Sequence, residues 1–259
     1  MWLIIFLLFN ISCATNNSLK NKKGSYLETV KLNFDAGEEA FIKKDFDKAI
    51  GYYQFVKSKY PFSQYAHLSD LKIADVKFAQ KKWIDAALAY EVFIRLHPRH
   101  EQVNYAYYQV GLCYFNAVPQ NSFFYPPATT KDQTFTKKAL ETLQLFIEKE
   151  PNSPKTQEVK DKINLLYSYL ADHEKHSAHY YLKIKKYASA ADQYEQIFDL
   201  YPSTTQAPEC LYLAAKIYEE KLNDQTKASE IYDKLITYYE EGKYVDLAKK
   251  ALENLNRGN

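Results

Sequence analysis

The chain has 259 residues, of which 46% are hydrophobic and 25% charged, with only six glycines. Such a composition suits a soluble core and is too poor in glycine for a turn-rich β-protein. The net charge of +2 supplies no bulk attraction to nucleic acid or anionic lipid, and no RNA-binding or zinc-finger spacing is present, so no nucleic-acid partner is expected.

Trp2 to Phe9 are all apolar and are followed by Asn10, Ile11, Ser12 and Cys13. The run is shorter than the roughly 20 residues a spanning helix needs and reads as the apolar core of a signal peptide over residues 1–12. A cysteine directly after a small residue resembles the lipidation site of bacterial lipoproteins. Asn10 stands where that motif usually has leucine, and no basic residue precedes the run. The alternatives are an uncleaved anchor and a plain secreted protein. With Cys13 lipidated, residues 13–25 form a polar, Lys-rich tether, ATNNSLKNKKGS after the cysteine, unable to bury a core.

From Tyr26 onward the pattern is helical, and one frame returns. Ala49, Tyr53, Val56 and Pro61 recur as Ala86, Tyr90, Phe93, Pro98, then Ala139, Leu143, Phe146, Pro151, then Ala190, Tyr194, Ile197, Pro202. Alanine and proline stand twelve apart in all four, and a fifth copy (Ala228, Tyr232, Leu235) lacks the proline. Positions +4 and +7 from the alanine share one helix face, which must be buried. The alanine lets another helix cross close by, and the proline ends the helix. Small residues upstream (Gly37, Ala40, Ala74, Ala178) mark a preceding helix in each pair. The unit resembles the tetratricopeptide repeat, a helix–turn–helix of about 34 residues.

In chain order the pattern predicts a first helix from Tyr26, then helices over 46–59, 64–80, 83–96 and 101–117. The period then breaks at 116–134, NAVPQNSFFYPPATTKDQT: counting from Gly111, the frame alanine is due at 123 and arrives at 139, a sixteen-residue insertion within the third repeat. Phe123, Phe124 and Tyr125 in this loop either fold back on the repeats or contact a partner. A helix over 136–149 completes the repeat. One long helix is expected over 155–185, with a bend near His173 where polar residues interrupt the stripe. Helix 188–200, a fifth repeat over 206–240 and a capping helix over 244–256 finish the chain. The expected fold is therefore all-α: a right-handed tetratricopeptide-repeat superhelix of about five repeats plus a terminal cap. Residues 26–135 form its N-terminal repeats with the loop, and 136–259 its C-terminal repeats with the cap.

Several places together carry a more specific resemblance. They are Tyr60-Pro61-Phe62 with Tyr65, Phe93 to Leu96 before Pro98 and His100, Tyr105 with Tyr108, Gly111 and Leu112, and Phe123-Phe124 then Asp132. Pro151-Asn152-Ser153, Leu170-Ala171, Tyr180-Tyr181 and Tyr201-Pro202 continue it. With the lipoprotein start, these make the chain similar to the BamD family, lipoproteins of the outer-membrane β-barrel assembly complex. The resemblance implies a non-enzymatic scaffold, anchored by lipid at the periplasmic face of the outer membrane. It implies contact with a BamA-like barrel protein and with the other assembly-complex lipoproteins. It also implies that the N-terminal repeats receive unfolded outer-membrane proteins by their C-terminal signals. An alternative is another envelope adaptor, similar to the Tol–Pal coordinating protein or associated with peptidoglycan. The usual coiled coil of the former is missing before the first repeat.

No catalytic constellation appears. His173, His176 and His179 recur three apart, but HEKH is one residue short of the metalloprotease motif, and no metal or other cofactor is expected apart from the lipid on Cys13. Cys113 and Cys210 lie in different repeats and read as separate buried thiols. The first helices of stacked repeats line a groove, and counting from Gly37 and Ala74 places Phe34, Glu38, Phe41, Leu71, Asp75 and Phe78 in it. Aromatic rings beside carboxylates suit an extended peptide; packing of Phe34 and Phe41 against the second helix is the competing reading.

Overall fold

The structure is a computed structural model and describes residues 26–119 and 131–258. Cys13, the tether, the apolar N-terminal run and the loop residues Phe123, Phe124 and Tyr125 lie outside the described residues. Within them every element is helical: α1 Tyr26–Ile42, α2 Phe46–Lys59, α3 Gln64–Ala79, α4 Trp83–Leu96, α5 Val103–Ala117, α6 Thr134–Lys149, α7 Thr156–Lys183, α8 Tyr187–Leu200, α9 Ala207–Ile217, α10 Gln225–Tyr238 and α11 Lys243–Gly258. Each helix packs on the next in sequence, and α1 also meets α3. This is a tetratricopeptide-type α-solenoid. No described helix is long and apolar enough to cross a membrane.

The recurring frame explains the stacking. Ala49, Ala86, Ala139, Ala190 and Ala228 have no solvent exposure, and Tyr53, Tyr90, Leu143, Tyr194 and Tyr232 are fully buried behind them. The residues before the four prolines (Tyr60, His97, Glu150, Tyr201) all leave the helix with φ near −130° and ψ of 50–60°, because a following proline disfavours the α conformation. Inside each pair the turn is set differently. Lys44, Lys81, Lys185 and Asn223 have φ of 61°, 59°, 62° and 55°, each five residues before its alanine. A single left-handed residue reverses the chain between the two helices, the role glycine usually takes at a helix end.

Departures from strict repetition are taken up locally. Ala49 and Ala86 are 37 apart, whereas Ala139 and Ala190 are 51 apart; the surplus of 14 residues is about four helical turns and lies in α7. That helix therefore serves both halves. Val159, Ile163 and Leu166 complete the core of repeats two and three, while Ala171 and Ala178 open the core of repeats four and five. It remains α-helical through His173. The polar residues there bond across to the next repeat: Asp172 accepts from Gln206 at 2.9 Å, and Lys175 meets Glu209 at 2.5 Å. Ala190 and Ala228 are 38 apart. The one extra residue is absorbed by a π-helical turn, Tyr218–Leu222, where Asn223 N–H donates to the Tyr218 carbonyl.

Candidate peptide-binding face

A buried tyrosine ring contributes about 1.5–3 kcal/mol, but an unpartnered buried hydroxyl costs about 1–3 kcal/mol. The two nearly cancel unless the hydroxyl finds an acceptor. The second helices solve this by aiming their tyrosines at carboxylates on the first helices. Tyr53 donates to Glu38, and Tyr90 donates to Asp75 at 2.6 Å, each pair 15 residues apart. Tyr232 donates to Glu219 at 2.8 Å.

These carboxylates also bridge successive first helices. Lys72 Nζ on α3 lies 3.0 Å from Glu38 Oε2 on α1 and 3.9 Å from Asp75 Oδ2. Tyr105 on α5 donates to Asp75 at 3.0 Å, and Tyr108 on α5 donates to Glu158 on α7 at 2.9 Å. Lys72 and Glu38 are 34 residues apart and Tyr108 and Glu158 are 50 apart; the difference is the sixteen-residue insertion. A polar seam thus runs along the inner layer from α1 to α7. Burial lifts the Asp75 carboxyl above the usual carboxylate range, against the hydrogen bonds from Tyr90 and Tyr105 and the charge of Lys72, which pull it down.

Next to Asp75 the seam opens into a cleft of about 560 Å³, walled by Tyr105, Tyr108, Phe146 and Asn104 and reaching Gln109 and Glu150. The Tyr108 and Phe146 rings lie 5.4 Å apart. Gln109 Oε1 is buried with no hydrogen-bond partner. An aromatic slot with a free acceptor at its base can take a flat side chain and one amide N–H of an extended chain.

The six groove residues expected from the repeat register divide sharply. Glu38 and Asp75 do lie on the seam. Phe34 is 8% exposed and Leu71 1% exposed, so both belong to the core, not to a groove wall. The Phe34 ring lies 5.5 Å from Tyr53 and 5.2 Å from Tyr65. The reason is the register: Phe34, Gly37 and Phe41 share one face, and it is the face against which α2 packs. A Cβ on Gly37 would sit 2.7 Å from the Tyr53 ring. Phe41 and Phe78 are half-buried; the Phe41 ring lies tilted beside Phe46 and the Phe78 ring packs edgewise on Trp83. The register count does not reach Tyr105, Tyr108, Gln109 and Phe146. The signal that finds the seam is a carboxylate 15 residues before a frame tyrosine, as Glu38 stands before Tyr53 and Asp75 before Tyr90.

Among the described residues no three His, Cys, Asp or Glu side chains converge as a metal site. Cys113 and Cys210 are free and buried, and burial pushes both thiols up to about 12; they pack as small apolar groups.

Stacked helical hairpins joined by a polar inner seam define a repeat protein of the scaffold class, whose extended surfaces bind other chains. Comparison with known proteins makes this specific. Residues 28–233 match the model of the YfiO family, described as outer membrane lipoprotein, and the chain belongs to that family. The outer membrane protein assembly factor BamD of Rickettsia prowazekii is 25% identical over 239 residues, covering 91% of both chains. BamD of Caulobacter vibrioides is 23% identical over 199 residues, covering 76% of this chain and 63% of that relative. Among solved structures, the TPR2AB-domain:pHSP90 complex of yeast Sti1 overlaps with a TM-score of 0.43 at 12% identity, covering 87% of this chain and 83% of that one.

Proposed function

We propose that this chain is a non-enzymatic scaffold of outer-membrane protein assembly. Its N-terminal repeats hold the C-terminal segments of unfolded outer-membrane proteins, and the rod docks on the periplasmic domains of a BamA-like barrel protein. The observation that carries the reading is the seam of Glu38, Lys72, Asp75 and Tyr105 leading into the cleft at Tyr108, Gln109 and Phe146. A β-strand-forming segment is extended, alternates aromatic and polar side chains, and brings unpaired amides that such a surface can satisfy. The names of the family's relatives support the assembly role.

Fluorescence anisotropy with a labelled C-terminal outer-membrane-protein peptide ending in an aromatic residue tests the site. Tyr105→Ala combined with Gln109→Ala should weaken binding about tenfold, equivalent to about 1.4 kcal/mol. Unchanged affinity in a variant that keeps its helical circular dichroism would rule this cleft out.

The anchor is a separate element of the same proposal. A lipid on Cys13, reached through the polar tether, would hold the rod beside the membrane. Cys13→Ala should move the chain to the soluble periplasmic fraction; retention on membranes washed with high salt would argue against a lipid anchor. The loop aromatics Phe123, Phe124 and Tyr125 are proposed as contacts to another subunit, and their triple alanine variant should lose a crosslink that the parent chain forms.

A further inference from the structure

The first helical hairpin leaves a group of apolar side chains uncovered at one end. α2 returns beside α1, so the start of α1 meets the end of α2. The Tyr26 ring packs edgewise on Tyr60 at 5.2 Å, and the Phe55 ring packs on the same tyrosine at 6.2 Å. Tyr26, Leu27 and Phe55 are all exposed, and Phe62, two residues beyond Tyr60, is 97% exposed.

The turn that carries Phe62 is firmly held. Ser63 N–H donates to the Tyr60 carbonyl at 3.0 Å, and Ser63 Oγ donates to it at 2.8 Å. Ser63 Oγ in turn accepts from Ala66 N–H at 3.1 Å, which fixes the turn to the first residues of α3. Phe62 therefore stands at the tip of a closed turn and cannot fold back. A ring kept in water forgoes the whole gain of burial. One exposed apolar residue is ordinary, but a contiguous patch marks a contact surface.

The position of the patch along the chain says what covers it. Tyr26 is the first described residue, and twelve residues, 14–25, separate it from Cys13. Even fully extended, such a segment reaches only about 45 Å, so a lipid on Cys13 keeps this end of α1 close to the bilayer. The segment carries Lys20, Lys22 and Lys23 and no acidic residue, and Lys59 in the last turn of α2 is exposed. Lysines draw such a surface to anionic headgroups, and amphipathic rings settle at the level of those headgroups.

We propose that Tyr26, Leu27, Phe55 and Phe62 form a second membrane contact, with the Phe62 turn seated in the headgroup layer of the bilayer. The inference rests on the anchor proposed at Cys13. An anchor alone sets how far the rod can stand from the membrane. A second contact also sets the angle at which it stands, and with it the direction in which the cleft at Tyr105 opens.

Tryptophan fluorescence of the full-length chain on vesicles of phosphatidylethanolamine and phosphatidylglycerol tests the proposal. Phe62→Trp puts a reporter at the turn, and Leu88→Trp puts one at an exposed position on α4, in another repeat. The parent chain supplies the background of Trp2 and Trp83. On vesicles whose acyl chains are brominated, the Phe62→Trp emission should move to shorter wavelength and be quenched, and the Leu88→Trp emission should do neither. A chain that does not float with the vesicles would overturn both the anchor and this contact. A chain that floats while Phe62→Trp emits as it does in water, or while both reporters are quenched alike, would keep the anchor and overturn the contact. A shift at Phe62→Trp that needs an added barrel protein would also overturn it and assign the turn to a protein partner.

Discussion

Replacing Tyr90 by alanine is expected to destabilise the chain by about 3–5 kcal/mol, the range for removing a large buried aromatic ring. Tyr90 is fully buried in the core shared by repeats two and three. Truncation leaves a cavity there and also takes a donor from Asp75. Tyr90→Phe separates the two effects. It keeps the packing and removes only the hydroxyl, so the cost should fall to about 1–3 kcal/mol at neutral pH. The sign with pH is also set. The Tyr90 bond holds the Asp75 carboxyl lower than burial alone would leave it, so its contribution is present while Asp75 is ionised and fades as pH falls through the folded-state pKa. In urea melts taken from pH 7 downward, the stability difference between parent and Tyr90→Phe should therefore shrink as Asp75 becomes protonated. A constant difference would place the lost stability elsewhere.

Two helical glycines should respond to alanine with opposite signs. Alanine in a helix interior is favoured over glycine by about 1 kcal/mol. Gly51 on α2 is exposed, and nothing lies within 4 Å of where its Cβ would be; Gly51→Ala should stabilise by close to that amount. At Gly37 the same gain meets a Cβ 2.7 Å from the Tyr53 ring. That ring cannot swing aside, because it is fully buried and its hydroxyl is bonded to Glu38. Overpacking costs about 1–3 kcal/mol, so the net effect of Gly37→Ala should be a loss. Equal and positive shifts for both would mean that α1 and α2 do not approach as closely as the alanine frame requires.

Much of the fold is legible in the residues themselves. Helices 46–59 and 83–96 coincide with α2 and α4, because a left-handed turn residue before them and a proline after them leave little freedom at either end. The insertion is legible in length, since it displaces Ala139 by whole residues. The long helix expected over 155–185 is α7, Thr156–Lys183; what its stripe does not say is where one repeat ends and the next begins. The polar residues around His173 interrupt the stripe because they form bonds between neighbouring repeats. The groove was the least legible part. Periodicity tells which residues share a face, and Phe34 does share one with Gly37, but it does not tell which face the second helix covers. Glu38 and Asp75, one position on from Gly37 and Ala74, are turned about 100° further round the helix, and that rotation carries them to the seam. Tyr105 and Gln109 gain their meaning only when α5 is set beside α3 and α6.

If this rod of helical hairpins works by holding other proteins of the outer-membrane assembly machinery, as proposed, those proteins should travel with it. The most direct test is to purify the full-length chain by a C-terminal tag from detergent-solubilised membranes of its own organism and identify what accompanies it by mass spectrometry. A BamA-like barrel protein recovered in near-equal amount is the predicted result. Recovery of the chain without any such barrel protein, from membranes shown to contain one, would contradict it.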